Sequence, residues 1–202
     1  MFITFEGGEG SGKTSLIKAV SKWLFDNNLP NITTREPGGS EIAEKIRDIL
    51  LDVDNENIAF ETEALLFAAA RTQHLKEVVL PALAENQVVL CDRYLDSSLA
   101  YQGYARKLGF EAVLKINYFA LKHLPNFTVY IDIDPKVGLK RAGSRGKLNR
   151  LDLEELSFHQ KVREGYLELS KIYQDRYLII DGNCSLNNLI EKTINELAKV
   201  IL

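Results

Sequence analysis

An α/β fold, a five-stranded parallel sheet flanked by helices on both faces, is the fold class this sequence predicts, on three observations. Five short strand-like runs, Phe2 to Phe5, Ile32 to Thr34, Val88 to Cys91, Phe127 to Asp132 and Tyr177 to Asp181, alternate with stretches of helical periodicity. That order builds parallel strands joined by right-handed crossovers. Val88-Val89-Leu90-Cys91 is apolar throughout, as in strands buried on both faces. The first run leads straight into Gly7-Gly8-Glu9-Gly10-Ser11-Gly12-Lys13-Thr14, which fits G-x-x-x-x-G-K-[ST] in its strand-to-helix setting.

That loop has a chemical reason for each residue type. A triphosphate is bound mainly by backbone N–H groups lining a concave loop, and Gly7, Gly10 and Gly12 let the chain curl tightly enough. The following helix aims its positive end at the phosphates, Lys13 reaches the β and γ oxygens, and the Thr14 hydroxyl is placed to ligate Mg²⁺.

The 202 residues suffice for one substantial core, and one domain is expected. A net charge of -3 gives no general basic field for nucleic acid. The start Met1-Phe2-Ile3-Thr4-Phe5-Glu6 has no basic leader, and no run of about 18 apolar residues follows, so a cytoplasmic protein without membrane association is expected. Cys91 and Cys184 lack metal or redox spacing and read as reduced and structural.

Taken in order, Leu16, Val20, Trp23 and Leu24 recur at helical spacing until Asp26-Asn27-Asn28-Leu29-Pro30. Ile32 to Thr34 is a short strand ending in the turn-rich Arg35-Glu36-Pro37-Gly38-Gly39. Ile42, Ile46, Ile49 and Leu50 mark an amphipathic helix with Arg47 off its stripe. A longer helix from about Glu61 uses Ala64, Leu65, Ala68, Leu75 and Val79 as its core face. Phe67 and Arg71 lie one turn apart on it, and Phe67 by itself reads as core.

Val88 to Cys91 ends in Asp92-Arg93-Tyr94, and in a protein with a phosphate loop such an Asp sits near Mg²⁺. Asp96 to Gly103 reads as a short capped helix, and Val113 to Leu121 as another. Asp134-Pro135 is an N-cap with proline at the first helical position. Arg141 to Arg150, rich in glycine and basic residues, reads as a mobile loop. Asp152-Leu153-Glu154-Glu155 reads as a capped helix start, and Leu186 to Leu202 as the last helix.

The phosphate loop leaves GTPases, ATPases and small-molecule kinases open. Neither D-x-x-G nor [NT]-K-x-D occurs, which removes the γ-phosphate switch and the guanine reader of GTP switch proteins. A kinase joining two anionic nucleotides needs several arginines to neutralise its transition state. Arg47, Arg71, Arg93, Arg141, Arg145 and Arg150 are candidates.

Along nearly its whole length the chain resembles thymidylate kinases. The matching pieces are Phe5 to Thr14, Thr34-Arg35-Glu36-Pro37-Gly38-Gly39, Leu66-Phe67-Ala68-Ala69-Ala70-Arg71, and Asp92-Arg93-Tyr94 followed by Ser97 to Gly103. Residues 141–152 match the family's lid. The resemblance implies a three-layer P-loop nucleoside monophosphate kinase fold and phosphorylation of dTMP to dTDP by ATP with Mg²⁺, usually in a homodimer. It implies that Gly7 to Thr14, with Arg141 and Arg150, bind ATP, and that Thr14 and Asp92 serve the metal. Phe67 would stack on thymine, Arg71 and Gln102 would bond its polar edge with Ser98 beside them, and Tyr101 would pack on the sugar. Glu36, Arg47 and Arg93 would organise the acceptor phosphate, with Glu9 on the 3′-hydroxyl side.

Family members carry the transition-state arginine either in the phosphate loop or in the lid. Gly8-Glu9-Gly10-Ser11 holds none, so the chain resembles the bacterial type, with Arg145 as the implied donor and Arg141 and Arg150 in support. The catalytic set so implied is Lys13, Arg93, Arg145 and Glu9. Other nucleoside monophosphate kinases, and a noncatalytic ATP-binding module, are the readings that compete with this one.

Overall fold

The computed structural model describes residues 1–144 and 148–201. Its elements in chain order are β1 (Phe2–Glu6), α1 (Lys13–Asp26), β2 (Asn31–Arg35), α2 (Glu41–Leu51), α3 (Phe60–His74), α4 (Leu80–Ala84), β3 (Val88–Asp92), α5 (Leu95–Ser98), α6 (Phe110–Ile116), β4 (Phe127–Asp132), α7 (Pro135–Gly143), α8 (Leu156–Ile172), β5 (Tyr177–Asp181) and α9 (Leu186–Ile201). All five strands are parallel, in the order β2-β3-β1-β4-β5.

Alternation along the strands divides the core in two. Ile3, Phe5, Leu90, Val129 and Ile131 meet Leu16, Val20 and Leu24 of α1 and Leu189 and Leu197 of α9. On the other face Phe2, Val89, Cys91 and Tyr130 meet Phe67, Leu99, Tyr101, Val162 and Tyr166. The result is the expected three-layer sandwich. Phe5 pairs in register with Asp92, and Glu6 with Tyr130. The loops leaving β1 and β3 therefore stand side by side beyond the carboxyl ends of the strands, where open parallel sheets bind ligands.

Several elements differ in detail from the sequence reading. The long third helix is α3, a wide π-type stretch at Leu75–Val79, and then α4. Pro81 has no N–H for the carbonyl four residues back, and widening the preceding turn accommodates it. Leu65 is 54% exposed while Ala64, Phe67, Ala68 and Arg71 are buried, so the inward stripe runs through 64, 67, 68 and 71 and leaves Leu65 outside.

Asp96 does not cap its helix. Its carboxylate takes the Arg176 guanidinium at 2.6 and 2.7 Å, and a π-type stretch, Leu99–Ala105, extends α5. Helix α6 ends at Ile116, and Asn117 then turns its side chain into the core toward Arg71. Asp152 does not cap α8 either, because its Oδ2 accepts from the Asn149 N–H at 2.9 Å and the helix begins at Leu156. Asp134 does cap α7, accepting from the Lys136 N–H at 2.8 Å. Both cysteines are free, and no described helix is long and apolar enough to cross a membrane.

Candidate active site

The loop after β1 is shaped by left-handed backbone that only glycine adopts cheaply. Gly10 has φ 66°, and a Cβ there would lie 2.1 Å from the Gly138 carbonyl oxygen. Gly138 is itself a contact site, since its own Cβ would meet the Glu9 carbonyl oxygen at 2.3 Å. Two glycines thus let α7 lie directly on the phosphate loop. Gly138 was not singled out from the sequence, although a glycine inside a helical pattern marks close approach of this kind.

Lys13 folds back over the loop, its Nζ 2.9 Å from the Gly7 carbonyl oxygen, 3.0 Å from that of Gly8 and 3.3 Å from Ser11 Oγ. Burial, with Arg93 nearby, lowers its pKa. Thr14 Oγ1 stands 3.5 Å from Asp92 Oδ2, while Asp92 Oδ1 is buried without a hydrogen-bond partner. A hydroxyl beside an unpaired carboxylate oxygen fits a Mg²⁺ that draws its other ligands from phosphates and water. Among the described residues no cluster of three or more His, Cys, Asp or Glu forms an all-protein metal site.

Arg93 sits at φ 69° where β3 ends. Its NH2 donates to Glu9 Oε1 at 2.5 Å, and its NH1 donates to Ser97 Oγ and Tyr166 OH, each at 3.3 Å. The guanidinium lies 5.1 Å from the centre of the Tyr101 ring, and the Tyr101 hydroxyl also donates to Glu9. Burial alone would raise the Glu9 carboxyl, but Arg93 and Lys13 outweigh it and pull it down to about 2. Behind this turn, fully buried Glu6 accepts from the Tyr94 N–H, Ser97 Oγ and Tyr166 OH at 2.7, 2.6 and 2.8 Å. Burial, with the Asp96 charge second, pushes Glu6 up to about 7.

On the other side, Glu36 accepts from Arg71 Nε at 2.7 Å and pairs with His74 Nδ1 at 2.9 Å, and His74 Nε2 meets Thr34 Oγ1 at 2.7 Å. Arg47 donates to the Pro37 carbonyl oxygen at 2.6 Å. Arg71 is 1% exposed and gives three further bonds, to Asn117 Oδ1, the Tyr94 carbonyl oxygen and Ser98 Oγ. The sequence contained no local sign of Glu6, His74 or Asn117, whose partners lie tens of residues away.

Glu9 to Thr14, Glu36, Arg47, Phe67, Asp92, Arg93, Ser98, Tyr101 and Gln102 line one cleft, with about 860 Å³ of empty space including its open mouth. That is ample for a mononucleotide beside phosphates. Gly7 and Gly8 form the floor under Lys13, and Arg71 stands behind Ser98. Arg141 lies beside Gly10 and donates to the Gly182 carbonyl oxygen. Arg150, read above as an ATP ligand, is instead buried against Glu63 at 2.6 Å and the Leu50 carbonyl oxygen at 3.0 Å. Arg145 lies outside the described residues.

A phosphate loop with its lysine, a facing carboxylate and arginines gathered on one cleft bordered by Phe67 define a P-loop phosphotransferase. The family model described as thymidylate kinase matches residues 5–194. A thymidylate kinase of Acholeplasma laidlawii is 53% identical over 201 residues, 98% of this chain and 99% of that one. One from Clostridium novyi is 52% identical over 194 residues, 95% of each. The crystal structure of thymidylate kinase from Ehrlichia chaffeensis superposes with a TM-score of 0.79 at 29% identity, covering 98% of each chain. The chain belongs to the thymidylate kinase family.

Proposed function

We propose that this cleft is where the chain transfers the γ-phosphoryl group of ATP to dTMP, giving ADP and dTDP. The observation that supports this most is that Lys13, Asp92, Arg93, Phe67 and Gln102 line the same cleft, which joins a triphosphate cradle to a pocket for a flat base. Phosphoryl transfer needs little covalent chemistry from the protein and is driven by positioning and charge stabilisation.

In this reading the loop N–H groups and the start of α1 take the donor phosphates, and Lys13 leaves the Gly7 and Gly8 carbonyls for the β and γ oxygens. Thr14 and Asp92 are the residues that would hold Mg²⁺, which when bound neutralises charge on the phosphate oxygens. Arg93 and Arg47 bind the acceptor phosphate, and Glu36 holds the segment that carries it. Glu9 keeps Arg93 and Tyr101 aimed at the sugar and phosphate. Phe67 stacks on thymine, with Ser98, Gln102 and, from behind, Arg71 on its polar edge.

Residues 141–152 are the lid in this reading, with Arg145, outside the described residues, as its transition-state arginine, Arg141 flanking the donor and Arg150 anchoring the far end. The protein is a cytoplasmic homodimer in this reading. Tyr118 and Phe119, 57% and 64% exposed, are apolar surface available to a second copy.

Product analysis after incubation with ATP, dTMP and Mg²⁺ tests the reading, with the Lys13→Ala variant as control. Equal amounts of ADP and dTDP are expected from the wild type, and on the order of 10³ less from a folded Lys13→Ala protein. ATP bound without dTDP formed would make this a binding module instead.

A further inference from the structure

Glu63 is a buried acidic residue that the proposed function leaves without a role. It lies on α3 one turn before Phe67 and is 0% exposed. Its Oε1 accepts from Gln102 Nε2 at 2.9 Å and from Arg106 Nε at 3.4 Å. Its Oε2 accepts from Arg150 NH2 at 2.6 Å and from Arg106 NH2 at 3.3 Å. The Arg106 guanidinium is itself held between the Phe60 and Phe158 rings, 4.5 and 4.4 Å from their centres, and bonded to Glu154. Glu63 is therefore fixed from three sides, by α3, by the segment after α5 and by the end of the lid.

The chemistry of the pair settles which way the Gln102 amide points. A carboxylate offers only acceptors, so the amide must turn its NH₂ toward Glu63 and its carbonyl oxygen away from it. Gln102 lines the cleft, and its Oε1 has no hydrogen-bond partner among the described residues. We propose that Glu63 is a positioning residue for base choice: by fixing the Gln102 amide it holds an acceptor toward the pyrimidine ring nitrogen. Thymine and uracil carry N–H at that position and match the acceptor. Cytosine carries a lone pair there, and the two facing acceptors leave each other unpaired. The inference rests on the reading of Gln102 as a base contact.

With Gln at position 63 the constraint disappears, because an amide satisfies Gln102 in either orientation and the flipped one offers cytosine a donor. A merely structural ion pair would instead lower turnover of every nucleotide alike. The test is kcat/KM for dTMP and dCMP in the wild type, Glu63→Gln, Gln102→Ala and the double variant, each checked for folding by its melting transition. Glu63→Gln is expected to lower the dTMP-to-dCMP ratio about tenfold or more, and Gln102→Ala to lower it as well. The double variant should be no less selective than Gln102→Ala, since Glu63 acts through Gln102. An unchanged ratio in Gln102→Ala overturns the base-contact reading, and the proposal with it. A ratio that falls in Gln102→Ala but not in Glu63→Gln overturns the proposal alone. Should Glu63→Gln fail to fold, Glu63→Asp keeps the charge for Arg106 and Arg150 but withdraws it by about 1.5 Å from Gln102. The same fall in ratio is then expected, and an unchanged ratio overturns the proposal.

Discussion

Arg93 and Glu9 meet across the lip of the phosphate loop, guanidinium NH2 to carboxylate Oε1 at 2.5 Å, although 84 residues separate them in the chain. Arg93 is held there in left-handed backbone, and Tyr101 shares the same carboxylate oxygen. The pair keeps the Glu9 carboxyl ionised from about pH 2 upward. Its contribution to stability is present above its ordinary value of 4.5 and is lost only as pH falls through about 2. Between pH 5 and 9 the kcat profile should therefore carry no acid limb from Glu9, and Glu9→Gln should lower kcat without moving the profile's midpoints. A midpoint near 5 that vanishes in Glu9→Gln would show the carboxyl titrating where the pair should prevent it.

Glu6 titrates in the opposite sense. Its folded pKa is raised to about 7 from 4.5, so the folded protein keeps the proton over a range in which the unfolded chain has released it. The stability it contributes is full below pH 4.5 and falls as pH rises to 7, by on the order of 3 kcal/mol. Glu6→Gln removes this slope while keeping an acceptor for the Tyr94 N–H. Urea unfolding of both proteins at pH 5 and pH 8 should show a smaller loss of stability with pH in the variant. Equal losses would remove Glu6 as the titrating group.

Much of this site was legible because it is local. The phosphate loop, Asp92-Arg93 and the five strand-like runs each declare themselves within a few residues, and the strands all formed where those runs lie. What was not legible depends on distant partners. Asp96 and Asp152 look like helix caps in sequence, yet one pairs with Arg176 and the other with the Asn149 backbone. Arg150 looks like one more lid cation until α3 brings Glu63 beneath it. Nothing near Asn117 or His74 in the chain announces that Arg71 and Glu36 will need them.

The lid arginine and the base pocket should fail differently. Arg145→Ala is expected to lower kcat at least about tenfold with little change in dTMP affinity, since an arginine engaging charge that develops during transfer stabilises the transition state. Lysine should rescue poorly, because a point charge does not replace a planar fork. Phe67→Ala, which removes the ring bordering the cleft, should mainly raise the KM for dTMP. Steady-state kinetics separates the two, and an unchanged kcat in Arg145→Ala would move the transition-state role to another cation.

In the proposed function one cleft holds both the phosphate machinery and a reader for thymine, and a panel of monophosphates with ATP, followed by ADP release, tests this. Phe67, Ser98 and Gln102 present one aromatic face and a fixed polar edge. kcat/KM for dTMP should exceed that for dUMP by the value of a buried methyl, about 1–3 kcal/mol, and exceed that for dCMP by far more, because cytosine leaves buried polar groups unpaired. Equal kcat/KM for dTMP and dCMP would contradict the base pocket described here.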